Sequence, residues 1–140
     1  FGELGDGTTT TRTSPEQVGS ATTWASLAPG GFSTLAVRTD GTLWAWGDNA
    51  TGQLGDGTTT DRLAPAQVGS AATWKQASAS LYHVAAVRTD GTLWTWGENG
   101  LGQLGDGTTT SRSVPAQVGS ATNWDRVEVG SGFVTGLRRS

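Results

Sequence analysis

The 140-residue chain has no cysteine, a single histidine, a single lysine and four prolines. Without cysteine there can be no disulfide framework, no thiolate-bound zinc and no thiol chemistry. Compartment is left open, because secreted proteins need not carry disulfides. Basic charge is equally sparse. Lys75 and eight arginines are dispersed along the chain, and the formal net charge is only −3. No basic stripe exists to bind nucleic acid. No apolar run approaches the roughly 20 residues needed to span a bilayer, so membrane insertion is not expected. Helical periodicity of useful length is missing throughout. No signal peptide is visible, and Phe1 is not a natural start, so a targeting segment is expected to lie upstream.

What is abundant is glycine, threonine and tryptophan: 22, 23 and seven residues respectively. Gly and Thr favour turns and pleated strands over helices. Each Trp buries a large area, so a few can carry a core. These residues recur at a fixed interval. Leu-Gly-Asp-Gly starts at Leu4, Leu54 and Leu104; Gln-Val-Gly-Ser starts at Gln17, Gln67 and Gln117. Trp24, Trp74 and Trp124 keep the same spacing of 50 residues, and "RTDGTLW" begins at Arg38 and Arg88. The chain therefore holds 2.8 repeats of 50 residues: units 1–50, 51–100 and an incomplete 101–140. A period of this length signals a repeat architecture.

Each unit reads as short strands and turns. Phe32–Arg38 and Leu43–Trp46 flank Asp40-Gly41, and Tyr82–Arg88 and Leu93–Trp96 flank Asp90-Gly91. Asp-Gly between apolar strands predicts a two-residue type I′ hairpin. A further strand is expected around Trp24–Leu27. A fourth should follow Pro15, Pro65 and Pro115, with proline at the start of an edge strand. In "LWAW" the residues Trp44 and Trp46 point to one face, and Leu43 and Ala45 to the other. A strand apolar on both faces must be covered on both sides, which stacked propeller blades provide. The expected fold is all-β: blades of about four antiparallel strands in a partial β-propeller spanning residues 1–140. The phrase "GQLGDGTTT" is then a connection made once per blade.

The segments "DGTLWAWGDNATGQLGDGT" at 40–58 and "DGTLWTWGENGLGQLGDGT" at 90–108 resemble the repeat of the regulator of chromosome condensation family. Kelch repeats have a similar period, but their paired-glycine signature is missing here. The resemblance implies a β-propeller, usually of seven blades, of which this chain would be an excised or partly resolved piece. A rival reading is a chain that closes a ring by oligomerising, with an incomplete blade at each junction. The family's usual histidine is matched only by His83, its equivalents being Ser33 and Phe133. The "GDGTTT" extension looks like bacterial members of large secreted or surface proteins. Extracellular or cell-surface location in a bacterium is the expectation. Family members include guanine-nucleotide exchange factors and a bacterial inhibitor of β-lactamases, but no residue here matches an exchange-factor site.

Bland explanations outweigh chemical ones at each motif. "GDN" at 47–49 and Gly55-Asp56 suit turns better than calcium, since Asp and Asn cap turns with their own side chains. "GQLGDG" is followed by neither a helix nor Lys-Ser/Thr, so it is no P-loop. His83 lacks a nucleophile or acid partner in the sequence. The tryptophans recur at one place per unit, which points to core packing rather than a sugar platform. Asn49-Ala50-Thr51 is a formal glycosylation sequon, silent in a bacterial protein. No catalytic residue, metal ligand or cofactor is implied, and the protein is read as no enzyme.

Variation between units is more informative. Units two and three agree at 16 of 20 positions over 51–70 against 101–120, but at 4 of 20 over 71–90 against 121–140. The divergent turns are Pro29, Gly30, Gly31 and Phe32; Ala79, Ser80, Leu81 and Tyr82; and Gly130, Ser131, Gly132 and Phe133. These loops are expected side by side on one rim, where a rigid scaffold presents binding residues. The functional expectation is a non-enzymatic scaffold binding a protein partner or further copies of the repeat, with homo-oligomerisation or a larger assembly in view. Two alternatives are a carbohydrate-binding adhesive propeller and a purely architectural segment of a surface or fibre.

Overall fold

The computed structural model describes residues 1–140 and contains ten strands and no helix. The first sheet runs β1 (Trp24–Pro29), β2 (Ser33–Arg38), β3 (Leu43–Gly47) and β4 (Arg62–Gln67), in sequence order. The second repeats it with β5 (Trp74–Ala79), β6 (His83–Arg88), β7 (Leu93–Gly97) and β8 (Arg112–Gln117). The third sheet has two strands, β9 (Trp124–Val129) and β10 (Val134–Arg138). All pairings are antiparallel.

The alternation of side chains about each strand builds two seams between consecutive sheets. Leu35, Val37, Leu43 and Ala45 project forward from the first sheet. They meet Trp74, Ala77, Val84, Ala86 and Trp96 on the back of the second. Ala85, Val87 and Leu93 project forward from the second sheet onto Val127 of the third. Leu35, Leu43, Val84, Val87 and Trp96 are solvent-excluded. Fully burying each aliphatic among them contributes about 1.5–3 kcal/mol. The double-sided strand read from "LWTW" is confirmed: Leu93 and Trp96, on opposite faces of β7, are both buried.

The turn chemistry differs from the expected type I′ hairpin. No residue other than glycine has positive φ, so Asp40 and Asp90 do not adopt it. Instead Gly41 N–H donates to Arg38 C=O, and Arg38 N–H donates to Thr42 C=O, both at 2.9 Å. This is a three-residue loop, a type I turn closed by a left-handed glycine, with Gly41 at φ 81°. The Asp40 carboxylate accepts from both the backbone N–H and the hydroxyl of Thr42, at 2.9 and 2.7 Å. The extra residue is tolerated because Asp stabilises the turn through its own side chain.

The fourth strand also departs from expectation. Pro65 and Pro115 lie inside β4 and β8 rather than at their starts, where the register against β3 and β7 is broken by a bulge. A bulge on an edge strand requires no ladder N–H from proline. Residues following Arg12 form no strand around Pro15.

At 52–60 and 102–110 the repeated phrase is the connection between the third and fourth strands of a sheet. Its hub is a buried asparagine. Asn99 Nδ2 donates toward Asp106 Oδ1, Thr108 O and Oγ1, and Thr110 O, at 3.0–3.3 Å. Its Oδ1 accepts the Leu104 N–H at 2.9 Å. Asn49 does the same for residues 54–60. Asn49 is fully buried, so the sequon it opens is inaccessible in the folded chain. Leu54 and Leu104 follow into the interior, and the loop presses on the next sheet. Trp96 Nε1 donates to Gln53 O at 2.9 Å, and a Cβ on Gly55 would fall 2.6 Å from that nitrogen. Only glycine permits this approach. Trp46 meets residues 3–5 in the same way.

Asn99→Ala should therefore lower unfolding free energy by about 2–4 kcal/mol, because several buried polar groups lose their partner at once. Urea denaturation checks this. A loss under about 0.5 kcal/mol, typical of a surface change, would remove the hub role.

Candidate functional site

The three variable turns lie at the same edge of the three sheets: β1–β2, β5–β6 and β9–β10. The first two are directly adjacent. A Cβ at Gly30 would come 2.6 Å from the Ser80 carbonyl oxygen, and one at Gly31 would collide with the Leu81 side chain. Strict equivalence places the third turn at 129–132, so Phe133 occupies the position of Ser33 and His83. The rim exposes large apolar side chains: Phe32, Leu81, Tyr82 and Phe133. Phe1 packs on Phe32 with ring centroids 4.9 Å apart. Pro29 is exposed and Ala79 half-buried, each ending its strand. Ser80, Gly130, Ser131 and Gly132 supply turn backbone; Ser80 Oγ accepts from the His83 N–H at 3.2 Å.

His83 sits just beneath this rim. It is buried, its Nδ1 lies 2.8 Å from Ser80 Oγ, and its Nε2 has no hydrogen-bond partner. Burial pushes the imidazole pKa down, opposed by the Phe133 backbone and the Glu98 charge. Ser80 is engaged by the turn backbone and no carboxylate orients the ring, so the pair lacks the third member of a nucleophilic constellation.

The carboxylates of "LGDG" have structural partners. Asp106 accepts from Thr108 N and Oγ1 and pairs with Arg112 at 2.7–2.9 Å. Burial would raise its pKa; the Thr108 hydroxyl and the Arg112 guanidinium outweigh that and hold it at about 2. Asp6–Arg12 and Asp56–Arg62 repeat the pair. The tryptophans are likewise committed. Arg88 is sandwiched between Trp74 and Trp94, 4.5 and 3.8 Å from the ring centroids, and Arg38 between Trp24 and Trp44.

The turns are only part of the divergent segment. The strands before them, β5 and β9, carry side chains that stitch the second seam. Lys75 pairs with Asp125 at 2.6 Å. Gln76 Nε2 donates to Val127 O at 2.8 Å while its Oε1 accepts the Val127 N–H at 2.9 Å. Ser78 Oγ accepts the Val129 N–H at 3.1 Å. The amide of Gln76 thus replaces a strand neighbour for Val127. Ala25, Ser26 and Ala28 stand at the corresponding places on β1. Sequence reasoning located the divergence but singled out its turns; polar side chains at 75, 76 and 78 against small ones at 25, 26 and 28 were the available signal.

With this geometry in hand, comparison with known proteins is decisive for the family. The model of the regulator of chromosome condensation (RCC1) repeat matches residues 40–87 and 90–137, and a second RCC1 repeat model matches 24–53 and 74–103. The chain belongs to the RCC1 repeat family. Among curated proteins, none matches its sequence. Among solved structures, human WBSCR16 is similar at 23% identity and TM-score 0.75, over 82% of this chain and 30% of that one. Prp20p from Saccharomyces cerevisiae, reported with its binding properties to Gsp1p and histones, is similar at 20% identity and TM-score 0.79, over 91% and 34%. Yeast RCC1 (Prp20) bound by Kap60 gives 21% identity and TM-score 0.74, over 91% and 32%. The chain spans about a third of the length of each. The fold is that of RCC1 β-propellers, of which this chain supplies three consecutive sheets, and RCC1 repeats account for its strand order and its period.

Two outcomes follow. Gln76→Ala leaves the Val127 N–H and C=O without their cross-sheet partner and should cost about 1–3 kcal/mol; a urea midpoint unchanged from the parent would contradict the stitching role. Acidification should act in two steps. His83 is neutral when folded and protonates near pH 6.5 when unfolded, so stability falls as pH drops below that value. Asp56 and Asp106 are held below the usual carboxylate range, so their contribution is full above the ordinary carboxylate pKa of about 4 and is lost as pH falls through their lowered folded values, about 2 for Asp106. His83→Ser, the residue found at position 33, should abolish only the first step in a Tm-versus-pH profile. A first step that persists would assign it elsewhere.

Proposed function

We propose that this chain is a non-enzymatic scaffold that binds a protein partner through the variable rim. One observation carries the reading. Phe32, Leu81 and Tyr82 are exposed on two adjacent turns that differ between repeats, whereas the connection of 51–60 is nearly copied at 101–110. Large exposed apolar side chains grouped on loops mark interaction sites. The protein partners named for Prp20p and yeast RCC1 support the same class of ligand. The absence of an enzymatic role is part of the proposal, supported by the structural use of Ser80, His83 and the Asp–Arg pairs. Carbohydrate adhesion through tryptophan is disfavoured, since Trp74 and Trp96 are buried in the seam between the first two sheets and Trp46 is buried beneath residues 3–5. Location at a bacterial surface belongs to the proposal too, resting on the Thr-rich "GDGTTT" phrase; cell fractionation tests it.

The test takes the third repeat's residues into the second. Leu81→Ser with Tyr82→Gly reproduces Ser131 and Gly132, so the turn should fold unchanged. Capture of the partner by the immobilised chain, read by cross-linking and mass spectrometry, should fall at least about tenfold, the loss of 1.4 kcal/mol. Capture unaffected by the double change would move the binding site off the rim.

A further inference from the structure

The chain carries three asparagines, Asn49, Asn99 and Asn123. Asparagine is thermally labile, because the backbone nitrogen of the next residue can attack its side-chain amide. The rate depends on that next residue. Glycine leaves the nitrogen unhindered and the backbone free to bend, whereas a Cβ restricts both. Asn99 is followed by Gly100, Asn49 by Ala50 and Asn123 by Trp124. Asn49 and Asn99 share one structural task and differ in this chemical respect.

Folding opposes the reaction at Asn99. Its side chain is solvent-excluded. The amide nitrogen, which would be the leaving group, is held toward Asp106 Oδ1, Thr108 O and Oγ1, and Thr110 O, and the amide oxygen is held by the Leu104 N–H. The backbone is pinned as well. Asn99 N–H donates to Ser111 Oγ at 3.1 Å, and Asn99 C=O accepts from the Gly102 N–H at 2.9 Å. Ring closure brings Asn99 Cγ to bonding distance from the Gly100 nitrogen, so these bonds must break first. Gly100 itself is exposed, has no positive φ, and has nothing within 4 Å of the Cβ it lacks. The fold does not require glycine there.

We propose that Asn99 is a spontaneous modification site that reacts only when the 99–110 connection opens, and whose product cannot return to the fold. The Gly100 nitrogen bonds to Asn99 Cγ, the Cγ–Nδ2 bond breaks, and ammonia departs with the proton from Gly100. Water then opens the succinimide ring at either carbonyl, leaving aspartate or isoaspartate. Neither product serves as the hub. Aspartate puts a carboxylate where the amide N–H groups stood, facing the Asp106 carboxylate and the carbonyls of Thr108 and Thr110, which only accept. Isoaspartate routes the main chain through Cβ and displaces the turn. Each opening therefore exposes the second connection to permanent loss, while the first, with Asn49-Ala50, is spared.

The experiment holds the chain and its Gly100→Ala variant, which carries the residue of position 50, at mildly alkaline pH in buffer and in urea, then digests both with trypsin. Asn49, Asn99 and Asn123 fall in separate peptides, 39–62, 89–112 and 113–126. Mass spectrometry reads the small gain of amide-to-acid conversion; isomerisation at the Asp-Gly pairs leaves the mass unchanged. In urea the parent's 89–112 peptide should convert well ahead of the other two. In buffer it should convert at least about a hundredfold more slowly, following the population of the open chain. The variant's 89–112 peptide should keep pace with its 39–62 peptide. On dilution from urea, the parent's refoldable fraction, read by tryptophan fluorescence, should fall in step with conversion, and the variant's should hold. Conversion in buffer as fast as in urea, Asn49 reacting as fast as Asn99, or converted chains that refold fully would each overturn the proposal.

Discussion

A strand that is apolar on both faces cannot be satisfied by one neighbour. β7 places Leu93 and Thr95 on one side and Trp94 and Trp96 on the other, and the buried members of each set belong to different seams. A lone four-stranded sheet of this sequence would bury neither face. Stacking is therefore a condition of folding, and the rest of the architecture serves it. Tight turns keep the strands short, glycine lets a loop lie on an indole, and the edge strand tolerates proline because nothing pairs beyond it.

The repeat divides its labour along the radius of the stack. The outer portion is written almost identically each time, because a single asparagine must satisfy several fixed backbone and side-chain groups, and each has one workable geometry. The inner portion is free to differ, and it does. Lys75, Gln76 and Ser78 join the second and third sheets by contacts that Ala25, Ser26 and Ala28 cannot make. Part of the divergence that sequence reading attributes to a binding rim thus specifies which sheet follows which. In the rim turns Leu81 also packs on Gly31 of the first sheet, while Phe32 and Tyr82 keep part of their rings exposed.

Much of this was legible in the chain itself. The period of 50 residues, the Asp-Gly turns and the double-sided "LWAW" strand lead to stacked antiparallel sheets without any comparison. Local detail was harder. Asp-Gly suggested a two-residue hairpin, but the side chain of Asp40 stabilises a longer loop with only Gly41 left-handed. Pro65 suggested a strand start, but a bulge accommodates it in mid-strand. Pro15 lies in a similar stretch, with Thr13, Ser14 and Glu16 in place of Leu63, Ala64 and Ala66, and in no strand; strand formation depends on a pairing partner as well as on the segment. The buried role of Asn49 and Asn99 was invisible, since asparagine in a Gly-rich loop reads equally well as a solvated turn residue. The variable turns connect β1–β2, β5–β6 and β9–β10; in the third, strict equivalence gives 129–132, so the reading of 130–133 is displaced by one position, onto Phe133.

The most direct test of the account is native-state hydrogen exchange resolved by strand, at a dilution where the chain is a single copy. Local opening is cheapest where apolar burial is least. The account expects β6 and β7, covered on both faces, to exchange most slowly. β1 and β2, covered on one face only, should be faster, and β10 faster again. Protection of β1 and β2 equal to that of β6 and β7 would contradict it, showing that coverage of both sheet faces is not what stabilises this fold.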